Sequence, residues 1–223
     1  MGKNKLKRYA EIPELENVFE PGDQPGGSKE WMCGKWNSGI FGRQAPLILE
    51  LACGKGDYTL ALARRNSNFN YVGIDVKGDR IWKGATIARD ENLHNVRFIR
   101  GRIDHITNYF DQDEVDEIWI TFPDPFPQKS KKKRRLTHSV FLVRYHKIIK
   151  PGGEIHLKSD DDQLIEFTLE QLQLHNIPPD EVIYDLHATQ RLPDELYFRT
   201  YYEDNHIREG KTIKYIRFRL DNI

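Results

Sequence analysis

The amino-acid sequence predicts an α/β fold: a doubly wound, mostly parallel seven-stranded sheet with an antiparallel edge strand. Two observations support this fold class. Strand-like and helix-like segments alternate five times, which is typical of a parallel sheet with helices on both faces. Two strand-like segments then follow near the end of the chain without a clear helix between them, which indicates antiparallel pairing at one edge.

Each predicted strand is a short apolar run bounded by turn residues. The first, LILEL at residues 47–51, ends in a glycine-bearing turn, and a helix follows at 58–65. The other predicted strands are 70–76, 96–100, 115–121, 154–159, 181–188 and 212–220. The other predicted helices are 79–91, 137–149 and 162–175, with a short helical stretch that ends near residue 110. Three prolines make FPDPFPQ, residues 122–128, a rigid loop at the carboxyl end of a strand.

We expect the folded domain to span residues 46–223 and residues 1–45 to form a basic, partly flexible N-terminal arm. The arm has little periodic patterning, and its segment PGDQPGGSKE, residues 21–30, is typical of a loop. Trp36, Ile40 and Phe41 supply apolar side chains that can anchor the end of the arm.

Length and composition exclude several classes of protein. A chain of 223 residues suits one domain, and no apolar run approaches the roughly 18 residues of a membrane span. The first residues lack the apolar segment of a secretory signal. Cys33 and Cys53 are the only cysteines, too few for a disulfide framework or for a zinc site of their own. We therefore expect a cytoplasmic protein with no metal and no membrane association.

Charge is segregated along the chain although the net charge is zero, with 34 basic and 34 acidic residues. KSKKKRR, residues 129–135, holds six cations, residues 1–8 hold four, and the acidic run DQDEVDE covers residues 111–117. Concentrated positive charge on a neutral protein indicates a polyanionic partner at one face. The alternatives are solvated loops or a nuclear-import signal.

Carboxylates stand at or just after the ends of five consecutive predicted strands. They are Glu50, Asp75, Asp104, Asp124 and Asp160. Ligands of open α/β sheets bind outside the carboxyl ends of the strands, so the array predicts a ligand with positive charge. A nucleoside that carries an amino-acid ammonium and no phosphate fits, and S-adenosyl-L-methionine is such a molecule. Single acids of this kind are also compatible with solvated side chains or helix caps.

The glycine-bearing turn after the first strand argues against a dinucleotide. Gly54 and Gly56 allow a tight turn, but the third glycine of the G-x-G-x-x-G pattern would fall at position 59, which is Thr59. Glu50 and Asp57 also flank the turn, where carboxylates would oppose a pyrophosphate.

Several motifs together resemble bacterial tRNA (guanine-N7-)-methyltransferases, the TrmB family. ELACGKG at residues 50–56 resembles motif I of class I methyltransferases, with Ala52 in place of a glycine. FPDPFP at 122–127 followed by KKKRRL at 131–136 resembles the family's PDPWPK and basic KRR segments. The resemblance also includes GKW at 34–36, FG at 41–42, PGG at 151–153, SD at 159–160 and TYYE at 200–203.

This resemblance implies a Rossmann-like methyltransferase that transfers a methyl group from S-adenosyl-L-methionine to guanine N7 in the tRNA variable loop, with S-adenosyl-L-homocysteine as product. It implies that Asp124 is catalytic, and that the methyl donor is bound by Glu50, Gly54, Gly56, Asp75, Asp104 and Asp124. The implied substrate-binding residues are Gln128, Lys129, Asp160, Thr200, Tyr201, Tyr202 and Glu203. The implied tRNA phosphate contacts are Lys131, Lys132, Lys133, Arg134 and Arg135. Gln128 and Tyr201 replace residues that are usually cations in the family.

The chemistry of guanine shapes the expected mechanism. N7 carries a lone pair and no proton, so its alkylation needs no general base, and the product ring gains positive charge. We expect Asp124, on a loop stiffened by prolines, to stabilise that charge. Phe126 or one of Tyr201 and Tyr202 can stack on the guanine, although packing in the core is an equal alternative. The basic N-terminal arm is a candidate second contact to RNA.

Three alternatives stay open. One is a nicotinamide-dependent dehydrogenase, which Thr59 and the acids around the turn disfavour. Another is a methyltransferase for a different RNA base, an amine or a protein side chain, although such enzymes often carry N-P-P-Y where this chain has P-D-P-F. The third is an inactive RNA-binding relative. tRNA is the expected partner, no obligate protein partner is evident, and the chain is a monomer or homodimer.

Overall fold

A computed structural model of the protein describes residues 3–21 and 32–221, which form one eight-stranded sheet with helices on both faces. The strands are β1 (Val18–Phe19), β2 (Leu47–Leu51), β3 (Asn70–Asp75), β4 (Val96–Arg100), β5 (Val115–Thr121), β6 (Ile149–Ser159), β7 (Glu181–Ile183) and β8 (Lys214–Arg219). The helices are α1 (Lys3–Glu11), α2 (Asp57–Arg65), α3 (Gly78–Asp90), α4 (Ile106–Tyr109), α5 (Ser139–Ile148), α6 (Asp162–Leu174) and α7 (Tyr201–Arg208). None of these helices has the length and apolar character that crossing a membrane requires.

The spatial order of the strands is β1-β4-β3-β2-β5-β6-β8-β7. Neighbouring strands from β1 to β6 pair in parallel, and β8 pairs antiparallel with both β6 and β7. The doubly wound fold and the antiparallel pairing at one edge are therefore confirmed. The chain reverses its direction of winding between β2 and β5, so the crevice outside the carboxyl ends of these two strands is the expected ligand site.

The core lies in two layers, one on each face of the sheet. One layer packs α5 and α6 against the sheet through side chains such as Leu142 and Leu164, and the other packs α2 and α3 through Leu60 and Ile81. β2 and β3 are buried along their whole length, as expected for central parallel strands.

The structure differs from the sequence-based prediction near both ends of the chain. It adds the two-residue strand β1, which pairs with β4, and the helix α1, which packs on α3. The last predicted strand pair is separated by α7, and β7 ends at Ile183 rather than at residue 188. β1 is too short to give a periodic signal, and α7 has one buried residue, Glu203, so it lacks the apolar stripe by which helices are recognised. Residues 22–30 of the loop predicted at 21–30 lie outside the described residues.

Trp36 anchors the segment that precedes β2, as the sequence predicts for the end of the arm. Its side chain is fully buried, its indole N–H donates to the Tyr109 carbonyl at 2.8 Å, and its ring stacks on Phe110 at 5.1 Å. The Glu114 carboxylate accepts from the backbone N–H groups of Gly34 and Trp36 at 2.9 and 3.0 Å. The segment before β2 is thus fixed to the domain.

Candidate active site

A cavity of about 240 Å³ opens at the carboxyl ends of β2 and β5, where the winding of the sheet reverses. Five of the predicted site residues line it: Glu50, Gly54, Asp124, Thr200 and Tyr202. They come from the end of β2, the glycine loop (residues 52–56), the proline loop (residues 122–127) and the start of α7. The sequence therefore brings distant segments together at the predicted edge of the sheet.

Glu50 lies beneath the glycine loop and is almost completely buried. Its Oε2 accepts from the Thr59 backbone N–H at 2.8 Å and from the Thr59 hydroxyl, and its Oε1 accepts from the Thr121 hydroxyl at 2.6 Å. Burial raises the pKa of Glu50 to about 7, and the hydrogen bonds from both threonines oppose that rise. The carboxyl group thus links β2 to α2 and to β5 through hydrogen bonds at the floor of the cavity.

The glycine loop follows a left-handed path that brings its backbone to the cavity. Ala52, Gly54 and Gly56 all have positive φ, of 57°, 58° and 72°. A Cβ at Gly56 would lie 2.6 Å from the Phe98 ring, whereas a Cβ at Gly54 would meet only an Arg80 nitrogen, at 3.9 Å. Gly56 is therefore required for packing, and Gly54 leaves open space for a ligand.

Asp75 orients the glycine loop. Its Oδ2 accepts from the Gly54 backbone N–H at 3.0 Å, and its Oδ1 accepts from the Lys77 backbone N–H at 2.8 Å. Asp75 is buried and does not line the cavity, and neither does Gly56. Both residues shape the loop that forms the cavity wall.

Asp124 is exposed at the mouth of the cavity, on the proline loop. Its Oδ1 accepts from the Phe126 backbone N–H at 3.2 Å. Phe122 and Phe126 hold positive φ values of 49° and 41°, which are unusual for residues with a side chain. Two prolines and this local turn present the carboxylate to the cavity.

Arg135 differs from the cations that precede it. It is buried, with its Nε donating to the Pro125 carbonyl at 2.8 Å and an Nη to the Phe126 carbonyl at 3.2 Å. Its guanidinium therefore clamps the proline loop in this structure, although the resemblance implies a contact to tRNA phosphate. By contrast, the basic turn (residues 129–134) is exposed along its whole length, and Gln128 before it is exposed as well.

The start of α7 forms the opposite wall of the cavity. The Thr200 Oγ1 accepts from the Glu203 backbone N–H at 3.1 Å and caps the helix. Tyr201 and Tyr202 are exposed; the Lys55 ammonium lies 5.1 Å from the Tyr201 ring, and the Arg80 guanidinium lies 5.8 Å from the Tyr202 ring. Glu203, in contrast, is fully buried beneath the helix.

Asp160 and Asp104, the other two predicted acids of the array, do not line the cavity either. Asp160 accepts from the Lys211 Nζ at 2.8 Å, and its carboxylate lies 3.3 Å from the His206 Nδ1. Asp104 is exposed beside Arg102 and Arg144, at 3.3 and 3.8 Å. The five acids therefore share one edge of the sheet, but their carboxylates do not all face one cavity.

Three cations also line the cavity and were missed by the sequence analysis: Lys55, Lys77 and Arg80. They offset the acids Glu50, Asp57 and Asp124 there, so the lining carries both signs of charge. Lys55 could have been identified from its place in the glycine loop, and Lys77 from its place two residues after β3.

The fold has clear counterparts among solved structures. A 16S rRNA methyltransferase, KamB, superposes with a TM-score of 0.59 at 12% identity, over 84% of this chain and 97% of the other. An antibiotic-related methyltransferase superposes with a TM-score of 0.55 at 18% identity, over 80% and 89% of the two chains. At this identity the similarity shows the fold, which is that of class I methyltransferases.

Sequence comparison identifies the family to which the chain belongs within the class I methyltransferases. Residues 44–216 match a family model described as a putative methyltransferase. The tRNA (guanine-N(7)-)-methyltransferase of Christiangramia forsetii is 41% identical over 98% of each chain. That of Bacteroides thetaiotaomicron is 40% identical over 99% of this chain and 87% of its own length. The chain belongs to the tRNA (guanine-N(7)-)-methyltransferase family, which confirms the resemblance of its motifs.

Proposed function

We propose that this protein transfers the methyl group of S-adenosyl-L-methionine to N7 of a guanine in the variable loop of tRNA, in the cytoplasm. The observation that carries the proposal is the position of Asp124. Its carboxylate stands at the mouth of a cavity at the switch point of the sheet, and the proline loop that holds it continues into the exposed basic turn. A small-molecule site and a polyanion-binding surface therefore meet at one residue.

The cavity lining suits the methyl donor, which supplies an electrophilic methyl group on a sulfonium when it is bound. Its amino-acid end is a zwitterion, and the lining offers Asp57 to an ammonium and Lys55, Lys77 or Arg80 to a carboxylate. Gly54 leaves room for close approach of a ligand to the backbone. No phosphate is needed to satisfy this set of charges.

The reaction asks little proton chemistry of the protein. The N7 lone pair of guanine attacks directly, so the residues have to align the two reactants and stabilise the positive charge that develops on the base. Asp124 is held by a hydrogen bond from the Phe126 N–H and by the Arg135 clamp on the carbonyls of its loop. A fixed carboxylate of this kind stabilises the cationic ring without reorganising during the reaction.

The basic turn supplies the surface for tRNA. Lys131, Lys132, Lys133 and Arg134 are exposed and carry no acidic partner among the ion pairs of the described residues. Arg134 also lies 5.3 Å from the Phe126 ring, which connects the turn to the proline loop. Neutralising tRNA phosphates at this turn places the RNA beside Asp124, with Gln128 and Lys129 between them.

Transfer of a labelled methyl group tests the proposal. Purified protein is incubated with methyl-labelled S-adenosyl-L-methionine and unmodified tRNA, and the product is mapped by aniline cleavage, which breaks the chain at 7-methylguanosine. We expect one cleavage site, in the variable loop. Label on an exocyclic amine or on another base would show a methyltransferase with a different target. Absence of label from the tRNA would show an RNA-binding protein without this activity.

A thermal-shift measurement distinguishes S-adenosyl-L-methionine from NAD as the ligand of the cavity. S-adenosyl-L-methionine should raise the thermal midpoint of the protein through binding to the folded state, whereas NAD at the same concentration should not. Stabilisation by NAD alone would revive the dehydrogenase alternative.

A further inference from the structure

The most deeply buried charge near the site is an ion pair between Lys158 and Glu203. Both side chains have no exposed surface, and the Lys158 Nζ donates to the Glu203 Oε2 at 2.8 Å. Lys158 lies in β6, one residue before its end, and Glu203 lies in the first turn of α7. The pair therefore connects the sheet directly to the helix that forms one wall of the cavity.

Lys158 also holds the chain segment that leads into α7. Its Nζ lies 3.1 Å from the Phe198 carbonyl oxygen and 3.4 Å from that of Leu196, and 5.3 Å from the Tyr58 ring centroid. Three acceptors and one aromatic face thus surround one ammonium group. Burial lowers the pKa of Lys158, and the Glu203 carboxylate opposes that shift, so the pair depends on both partners.

Both carboxylate oxygens and the backbone N–H of Glu203 have partners. Its second oxygen, Oε1, lies 3.1 Å from the His187 Nε2, and its backbone N–H donates to the Thr200 hydroxyl oxygen. A carboxylate with both oxygens occupied and no exposed surface does not present an acceptor to a base in the cavity. In this structure Glu203 acts on a substrate indirectly, by fixing the position of α7.

The helix has one fully buried side chain among its eight residues, that of Glu203. In its second turn, Ile207 is partly buried against the core and the His206 ring stacks on Phe122 at 5.8 Å. In its first turn, Tyr201 and Tyr202 are exposed. A helix of this length without an apolar face gains little stability from its own hydrogen bonds. The first turn of α7, which carries the cavity wall, is therefore positioned by the contacts of Glu203 and of the segment before it, while Ile207 and His206 hold the second turn.

We propose that Lys158 is a positioning residue for methyl transfer: through Glu203 and the Phe198 and Leu196 carbonyls it fixes α7, and so sets Thr200, Tyr201 and Tyr202 against the cavity. The substrate readout of this inference rests on the proposed function. Lys158 lies beneath the wall and does not line the cavity, so the binding of the methyl donor at the glycine loop does not depend on it directly.

Two isosteric changes and their combination test this inference. Lys158→Met leaves the Glu203 carboxylate buried without a cation. Glu203→Gln leaves the Lys158 ammonium buried without a carboxylate. Both single variants should therefore be less stable than the wild type. The double variant Lys158→Met/Glu203→Gln contains no unpaired buried charge and should recover thermal stability. It still lacks the ammonium that holds the two carbonyls, so α7 should remain displaced.

Kinetics of the double variant give the deciding readout. We expect kcat/KM for tRNA to fall about 100-fold, as misplacement of a substrate-positioning wall does, while the Kd for S-adenosyl-L-methionine stays within about threefold of the wild type. If Lys158 contributed only to stability, the double variant would recover kcat/KM for tRNA and the Kd for S-adenosyl-L-methionine together with the thermal midpoint. Full methylation by the double variant would overturn the proposal, and so would an equal loss of donor and tRNA binding.

Hydrogen exchange makes the test independent of the reaction. Backbone amides of residues 200–208 should lose protection in the double variant, while those of β2 and β3 keep theirs. If wild-type protein does not methylate tRNA, the proposed function fails, yet this local loss still supports the positioning of α7. Unchanged protection at residues 200–208 would show that the helix is held by other contacts, and the inference would be wrong.

Discussion

The two walls of the cavity are built in different ways. On the β2–β3 side, the wall is built on the glycine loop. The buried carboxyl groups of Glu50 and Asp75 shape this loop by accepting from Thr59, Thr121 and the Gly54 N–H. On the other side, the wall consists of side chains on the proline loop and at the start of α7, and the exposed basic turn follows the proline loop. One wall is fixed by the core, and the other is fixed by a few polar contacts.

This difference corresponds to two kinds of ligand. A small donor is bound well by a preformed site whose groups are already oriented. A folded RNA is bound through its phosphates, by flexible cations at the surface, with salt-dependent affinity. We therefore expect changes in the first wall to alter folding and donor binding, and changes in the second to alter methyl transfer and tRNA binding.

The largest expected effect is at Asp124, where the two walls meet. Asp124→Asn retains the size of the side chain and its hydrogen bond from Phe126 but removes the negative charge. Turnover of tRNA should fall about 100- to 1,000-fold, because charge stabilisation in the transition state is lost. Single-turnover methylation at saturating tRNA and donor measures this.

Asp113→Asn is the matched control for Asp124→Asn, because Asp113 is exposed and does not line the cavity. It should leave turnover unchanged. If Asp124→Asn kept full turnover but abolished donor binding, Asp124 would belong to the donor site alone.

The second effect is a pH dependence of stability that arises in the first wall. Burial raises the pKa of Glu50 to about 7, whereas an exposed glutamate ionises near 4.5. Between these values the unfolded chain loses its proton first, so the free energy of unfolding should fall by about 3 kcal/mol as the pH rises from 4.5 to 7. Above pH 7 this contribution should be constant.

Urea unfolding at a series of pH values compares wild type with Glu50→Gln, which cannot ionise. The fall in stability should be absent from Glu50→Gln and present in Glu166→Gln, which changes an exposed residue of α6. Identical pH profiles for the wild type and Glu50→Gln would show that the carboxyl group is not perturbed.

The third effect concerns the basic turn, which follows the proline loop of the second wall. Replacing Lys131, Lys132 and Lys133 with Gln should reduce the slope of log K for tRNA against log salt by about 2 and weaken binding about tenfold at low salt. Fluorescence anisotropy with labelled tRNA across a salt series measures both. Lys147→Gln, at an exposed site in α5, should not change the slope.

Arg135 differs from the lysines of the basic turn because it is buried against the proline loop. Arg135→Lys keeps the charge but loses the two-pronged contact with the Pro125 and Phe126 carbonyls. It should slow methyl transfer while the salt slope stays at the wild-type value. A reduced slope for this variant would place Arg135 on tRNA phosphate, as the family resemblance implies.

The smallest effect is expected at Ala52, whose φ of 57° is strained for a residue with a Cβ. Ala52→Gly should stabilise the protein by about 0.5–1 kcal/mol, because relief of strain outweighs the greater freedom of the unfolded chain. The same change in the helix α2, Ala61→Gly, should destabilise it by about 1 kcal/mol. Destabilisation at both positions would mean that the loop is not strained.

The first wall could be predicted from sequence because backbone geometry leaves a clear pattern. An apolar run followed by closely spaced glycines indicates a buried strand and a left-handed turn, and Glu50, Gly54 and Asp75 were placed at the correct edge of the sheet. The pattern did not show what the carboxylates contact. Glu50 and Asp75 bind backbone and hydroxyl groups, which depends on register between strands that are distant in the sequence.

The second wall was harder to predict, since exposed and polar segments carry little periodicity. α7 was missed, the buried position of Arg135 was hidden within a run of cations, and the partnership of Lys158 with Glu203 joins residues that are 45 positions apart. Motif resemblance identified Thr200–Glu203 as important, but only packing shows that Glu203 lies beneath the wall while Tyr202 lies on it.

The proposed mechanism requires the lone pair of guanine N7 to attack a methyl donor held in this cavity. A tRNA with 7-deazaguanosine at the variable-loop guanine replaces that nitrogen with a C–H group and leaves the phosphates unchanged. In single-turnover assays, we expect this tRNA to bind with the affinity of the unmodified tRNA and to accept no methyl group. Methylation of the 7-deazaguanosine tRNA at the normal rate would show that N7 is not the attacking atom.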